Sequence, residues 1–155
     1  MQDPTPKRYT DTLAPAAVSD ELLPVIEGLG LLDNCRELAD RGWTVVENVG
    51  TAGFTKAMRA TILKLSSKGG ANMLLSKDKV FAEAVLQPEL LALAEFSVGR
   101  GFLLSQVAAS VRDKGSPCIG LHADHNWLPA PFPEHNMLLT ACWACDEYSE
   151  DGGAT

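Results

Sequence analysis

Positive charge is scarce in this chain. Thirteen lysines and arginines stand against 20 aspartates and glutamates, a formal net charge of −7. Non-specific association with nucleic acid or an anionic membrane surface needs a basic face, so neither is expected as a partner. Long apolar runs are missing too, since no stretch approaches the about 20 residues that span a bilayer. The opening Met1-Gln2-Asp3-Pro4-Thr5-Pro6-Lys7-Arg8 lacks the charged-then-apolar order of a secretory signal. Cysteines number four (Cys35, Cys118, Cys142, Cys145), too few and too scattered for a secreted disulfide framework. A reducing, cytoplasmic setting is therefore expected. With only three histidines, the reactive inventory is short enough for each position to be weighed.

What is present describes a folded protein. A hydrophobic content of 46% with 21% charged residues is globular composition. A chain of 155 residues can form one domain and bury roughly two-thirds of its unfolded surface. Residues 1–18, rich in Pro, Thr and Asp, read as a loose arm, and residues 19–155 as the domain. Ser19-Asp20-Glu21 offers a helix start, broken into short pieces by Pro24, Gly28 and Gly30. Leu31 to Arg41 has apolar residues at helical spacing and is capped by Gly42. Trp43 to Val49 reads as a strand. Phe54 to Ser67 predicts an amphipathic helix ended by Gly69-Gly70, and Ala71 to Leu75 a short strand. Lys79 to Leu86 and Glu89 to Val98 predict two helices split at Pro88. From Phe102 the character changes: 102–111, 118–124 and 136–145 are strand-like, joined by loops rich in Gly, Pro, Asp and His. Helices first and strands afterwards imply an α+β architecture, with helices packed on a sheet or barrel. The polar turn Asp146 to Gly153, followed by Ala154-Thr155, looks like the first step of a further strand. On that ground the chain is expected to be the N-terminal part of something longer.

The chemistry concentrates in Gly120-Leu121-His122-Ala123-Asp124-His125-Asn126-Trp127. On a strand, His122 and Asp124 would point from one face, since successive side chains alternate. A neutral imidazole beside a carboxylate can hold one divalent ion, and a second histidine would complete the facial triad of non-haem Fe(II) oxygenases. A bare His-x-Asp is also common as a hydrogen-bonded surface pair, so its context carries the weight.

That context is Leu121-His122-Ala123-Asp124, a proline-containing loop, the segment Leu138-Leu139-Thr140-Ala141-Cys142-Trp143-Ala144-Cys145-Asp146-Glu147, and the turn Ser149 to Thr155. Together they resemble the phytanoyl-CoA dioxygenase family of Fe(II)- and 2-oxoglutarate-dependent oxygenases. The resemblance extends from about residue 31 and is specific from about 119 onward. It implies a partial double-stranded β-helix, jelly-roll and cupin-like, with the N-terminal helices packed on it. It also implies that His122 and Asp124 are iron ligands and that Trp143 lies beside 2-oxoglutarate. A second iron histidine and a carboxylate-binding arginine would follow past Thr155. The activity implied is hydroxylation of a small organic substrate with 2-oxoglutarate and O₂ as cosubstrates, these 155 residues alone being incomplete for turnover. Leu104 to Gln106 stand towards the cosubstrate pocket, with no single residue selected.

Other readings stand beside these. Trp143 is also a natural core aromatic. Cys142 and Cys145 have CxxC spacing, but a zinc site usually needs a second ligand pair. Residues i and i+3 of a strand also diverge, so buried structural cysteine is the simpler reading. His125 and His135 sit in a loop with Pro129, Pro131 and Pro133 and could touch substrate or only solvent. Asp146, Glu147, Glu150 and Asp151 read as a solvated turn, because EF-hand spacing is absent. Phe102, Trp127 and Phe132 suit an apolar pocket wall and core packing equally. A non-catalytic cupin-like module binding a metal or small molecule is the alternative to an oxygenase. A structural domain in which His122 and Asp124 merely hydrogen-bond is a third. Substrate identity and oligomeric state are left open by the sequence.

Overall fold

A computed structural model of the chain describes residues 18–67, 70–112, 115, 120, 122–124, 126–131 and 136–149. The arm expected over residues 1–18 lies, apart from Val18, outside them. Five α-helices are present among the described residues: α1 (Leu23–Gly28), α2 (Leu32–Arg41), α3 (Ala52–Leu65), α4 (Lys79–Val85) and α5 (Pro88–Val98). The remaining regular structure is a 3₁₀ turn at Leu74–Ser76 and two strands, β1 (Gly70–Ala71) and β2 (Ala109–Ser110). The described residues fall into two compact units, each built from two separate stretches of chain. One takes its residues from Met1–Val49 and Gln87–Phe102, the other from Gly50–Leu86 and Leu103–Thr155.

The first unit contains α1, α2 and α5. Ser19 starts it: its carbonyl accepts from the backbone N–H groups of Leu22 and Leu23, and its hydroxyl oxygen accepts from Leu22 N at 3.3 Å. Pro24 occupies the first turn of α1, where a missing N–H costs nothing. α2 ends where its sequence requires, at Gly42, which takes φ +81°, a left-handed conformation open to glycine without a Cβ penalty. α5 begins on Pro88, and Gln87 before it is extended, as the pre-proline position favours. Val18, Leu22, Ile26, Leu31, Cys35, Ala92 and Leu93 form the core of this unit. Arg100, just past α5, pairs with Glu95 and reaches back to Glu21.

The second unit contains α3, α4, the 3₁₀ turn and both strands. Thr51 caps α3 by accepting from Phe54 N at 3.1 Å, and Asp78 caps α4 by accepting from Val80 N at 3.0 Å. Met58, Leu74, Val80, Phe81 and Ala84 make the core, with Phe54, Ile62, Val107, Ala109, Trp143 and Cys145 packed against it. Burying Phe81 alone contributes about 1.5–3 kcal/mol. β1 and β2 are antiparallel, with Gly70 opposite Ser110 and Ala71 opposite Ala109.

The expected α+β fold with a jelly-roll, cupin-like double-stranded β-helix is therefore corrected. The described chain is mostly helical and carries one two-stranded antiparallel sheet. A jelly roll needs eight strands in two sheets, and none is evident among the described residues. Of the strand-like stretches, 102–111 forms a ladder only at Ala109–Ser110. The described residues of 118–124 and of 136–145 form none. Trp43 to Val49 is not a strand either. Its β-branched and aromatic residues suit a pleated surface, but that propensity is realised only against a neighbouring strand. α2 supplies side chains instead. Asn34 Nδ2 donates to Thr44 Oγ1 at 2.9 Å and to the Val45 carbonyl at 3.0 Å. Thr44 Oγ1 donates to Glu37, holding that carboxyl below its ordinary range with help from Arg41. The Arg41 guanidinium lies 3.8 Å from the Trp43 ring centroid, a cation–π contact on an exposed indole.

Two outcomes follow. Replacing Asn34 with Ala removes both bonds to residues 44–45 and should cost about 1–2 kcal/mol in urea denaturation, without changing helix content by circular dichroism. Burial pushes the Cys35 thiol from its ordinary 9.0 up to about 11. Because the folded value is the higher one, the neutral thiol's contribution to stability is complete below about pH 9 and is lost as pH rises through about 11. The urea midpoint should therefore fall over that window, less steeply in Cys35→Ala.

Candidate metal centre

His122, Asp124 and Thr140 come together in the second unit, from two pieces of chain without regular structure among the described residues. The sequence expected the first two to share a face of a strand. They are instead brought together at a turn, which starts at Ala123, whose carbonyl accepts from Asn126 N at 3.2 Å. The two-residue spacing still places the side chains side by side: His122 Nε2 lies 3.4 Å from Asp124 Oδ1. Both are about half exposed, so water reaches the pair.

The bonds on the far side of each group decide what the near side can do. His122 Nδ1 is 2.9 Å from the Gly120 carbonyl oxygen. A carbonyl only accepts, so Nδ1 carries the proton, and in the neutral ring Nε2 keeps its lone pair. Asp124 Oδ2 accepts from Thr140 Oγ1 at 2.8 Å, leaving Oδ1 towards the imidazole. The 3.4 Å gap is wider than a good N–H···O bond of about 2.7–3.2 Å. An ion about 2.1 Å from each atom would span that gap at about 108°, near the tetrahedral angle; a six-coordinate ion, with neighbouring ligands at about 90°, needs the pair to close by about 0.4 Å. The pair therefore offers one nitrogen and one oxygen at a separation that suits a shared divalent cation, each ligand fixed by an outer hydrogen bond as metal ligands commonly are. Among the described residues, no further His, Cys, Asp or Glu joins them as a set of three.

Trp143 is placed differently. It is half-buried and packs edge-on against Phe54, with ring centroids 5.3 Å apart at 65°, in the core of its unit. Gly50 lies under both rings: a Cβ there would meet Phe54 Cδ1 at 2.7 Å and Trp143 Cζ3 at 3.3 Å. Cys145, two residues on, also packs against this core, and burial raises its thiol. Cys142 is exposed. The CxxC thiols thus have different environments, and the expectation of burial fails for Cys142. Leu104 and Gln106 are exposed, and Gln106 donates to Asn72. Phe102 is partly buried in the first unit and Trp127 is exposed. Asp146 is held by Arg59, with Nε to Oδ1 at 2.6 Å, a partner 87 residues away that sequence reasoning missed. Cys118, His125, Phe132, His135, Glu150 and Asp151 lie outside the described residues. Thr140 lies within the resembling segment with no role implied there, and nothing in the sequence marks its bond to Asp124.

Comparison with known proteins supplies no assignment: no family model, no curated protein and no solved structure matches the chain. No helix among the described residues is long and apolar enough to cross a membrane.

The packing at Trp143 gives one direct check. Gly50→Ala forces the Phe54 and Trp143 rings to shift and should destabilise the protein by about 1–3 kcal/mol, with a changed near-ultraviolet circular dichroism spectrum.

Proposed function

We propose that His122 and Asp124 hold a divalent metal ion, Fe(II), and that the chain serves a 2-oxoglutarate-dependent oxygenase of the phytanoyl-CoA dioxygenase type. The observation that carries this is the geometry of the pair: Nε2 freed by the Gly120 carbonyl, and Oδ1 turned to it 3.4 Å away. Two unlike ligands prepared in this way suit the imidazole and the carboxylate of a facial triad.

Bound Fe(II) would supply open coordination positions for 2-oxoglutarate and O₂, and through them an oxidant for an unactivated C–H bond. The chain's own residues have simpler tasks. His122 and Asp124 bind and orient the ion, and the Gly120 carbonyl fixes the imidazole. Trp143, on the same reading, flanks 2-oxoglutarate, its ring steadied by Phe54. The substrate is a small organic molecule, and the setting a reducing, cytoplasmic one.

The test is aerobic turnover, with Fe(II) and 2-oxoglutarate, by a protein that also supplies the second iron histidine and the carboxylate-binding arginine, followed as succinate formed and O₂ consumed. Succinate should appear with the unsubstituted protein and fall at least about 100-fold in His122→Ala and Asp124→Ala. Fe(II) bound without any loss of 2-oxoglutarate would instead make the chain part of a metal-binding module that oxidises nothing.

A further inference from the structure

We propose that the substrate brought to His122 and Asp124 is an uncharged, largely apolar molecule seated on Trp127 and Met137, and not a phosphate ester or coenzyme A thioester. This rests on reading that pair as the reacting centre, and adds to it the charge and polarity of what is brought there.

The distribution of charge is the first argument. Every lysine and arginine of the chain lies at or before Lys114, and Gly115 to Thr155 contains none, against six aspartates and glutamates. Both pieces of chain that meet at the pair belong to that stretch. Phosphates are bound by guanidinium or ammonium groups, or by the N–H groups at a helix start. No helix begins among the described residues beyond α5. Arg59 reaches the stretch from α3, but its Nε is engaged by Asp146 Oδ1 at 2.6 Å. A phosphorylated substrate would therefore meet the Asp124 carboxylate with no cation from this stretch to offset it, in a chain of net charge −7.

Apolar groups are supplied instead. Trp127 directly follows Asn126, whose N–H closes the turn onto Ala123, and so stands three residues from Asp124. Met137 is three residues from Thr140, whose hydroxyl donates to Asp124 Oδ2 at 2.8 Å. Three residues of chain span at most about 11 Å, a distance that a small organic molecule bridges. The two side chains thus arrive from opposite partners of one hydrogen bond. Trp127 is 62% exposed and Met137 50%. An indole and a thioether left in water gain by being covered with apolar surface, and methionine adapts to the shape of what covers it.

The experiment uses three probes with the same eight-carbon chain: octanol, octyl phosphate and octylammonium. Each is titrated into the full chain and read by the Trp127 indole, Met137 methyl and His122 ring signals in NMR spectra. Octanol should move all three together and saturate, and both charged probes should bind at least about 10-fold more weakly. Trp127→Ala and Met137→Ala should each weaken octanol binding by about threefold or more. Both side chains are exposed, so circular dichroism should not change. Octyl phosphate as tight as octanol, octylammonium tighter than either, unaltered affinity for octanol in either variant, or no response to octanol overturns the assignment. The reading beneath it is checked apart with Mn(II) alone, which should broaden the His122 ring signals. Broadening by Mn(II) without octanol binding overturns the substrate class only. Octanol binding without such broadening overturns the metal reading, and with it the role of the bound molecule as substrate.

Discussion

An extended backbone cannot satisfy its own N–H and C=O groups, whereas a helix pairs nearly all of its groups internally. The helices of this chain need only a cap and an apolar face to be packed, and their local sequence provides both: Thr51 and Asp78 at starts, Gly42 at an end, Pro88 at a first turn. The stretches with strand-like composition need a neighbour, and only Gly70–Ala71 and Ala109–Ser110 find one as a ladder among the described residues. Where a ladder is lacking, side chains or single backbone bonds take over. Asn34 serves residues 44 and 45, and the Leu74 N–H bonds the Val107 carbonyl beside the short sheet.

The His122–Asp124 pair follows the same logic at the scale of single atoms. Neither His122 nor Asp124 is fixed by a sheet, so their orientation depends on what binds the far side of each group. A backbone carbonyl selects the imidazole tautomer, and a threonine hydroxyl occupies one carboxylate oxygen. What faces across the 3.4 Å gap is Nε2 on one side and Oδ1 on the other. The arrangement is an imidazole and a carboxylate each oriented from outside, in a place that water can enter.

The helical half of the fold was legible in the sequence because its signals are local. The ends of α2, α4 and α5 are written in glycine, aspartate and proline within a few residues of where they act. Pro24 and the glycines after it foretold the shortness of α1. The β-half was not legible, because Val45, Val107 and Thr140 carry a propensity that only a partner can realise, and a partner is not a property of the segment. At the candidate site, the i, i+2 spacing of His122 and Asp124 announced their proximity, although the strand invoked for it is absent. Thr140 and the Arg59–Asp146 ion pair escaped notice because they join positions 16 and 87 residues away from their partners. Trp143 was open to two readings, and its packing on Phe54 describes its surroundings without excluding either.

The interleaving of the two units carries a consequence for how the chain is made. α1 and α2 emerge from the ribosome well before α5, against which they pack, so the first unit cannot close until Phe102 has been synthesised. Gly50–Leu86 has by then appeared, but it waits in turn for β2 and Trp143 to complete its own core. Each half-built unit exposes an apolar helix face during translation, the first while residues 42–87 are made and the second while residues 87–142 are made, at about 5–20 residues per second. Closing a loop of that length adds little to the entropy of folding, since the cost grows only with the logarithm of length. The burden is kinetic: nascent chains of this protein pass through a stage at which neither unit is complete, and it is there that chaperones have most to bind.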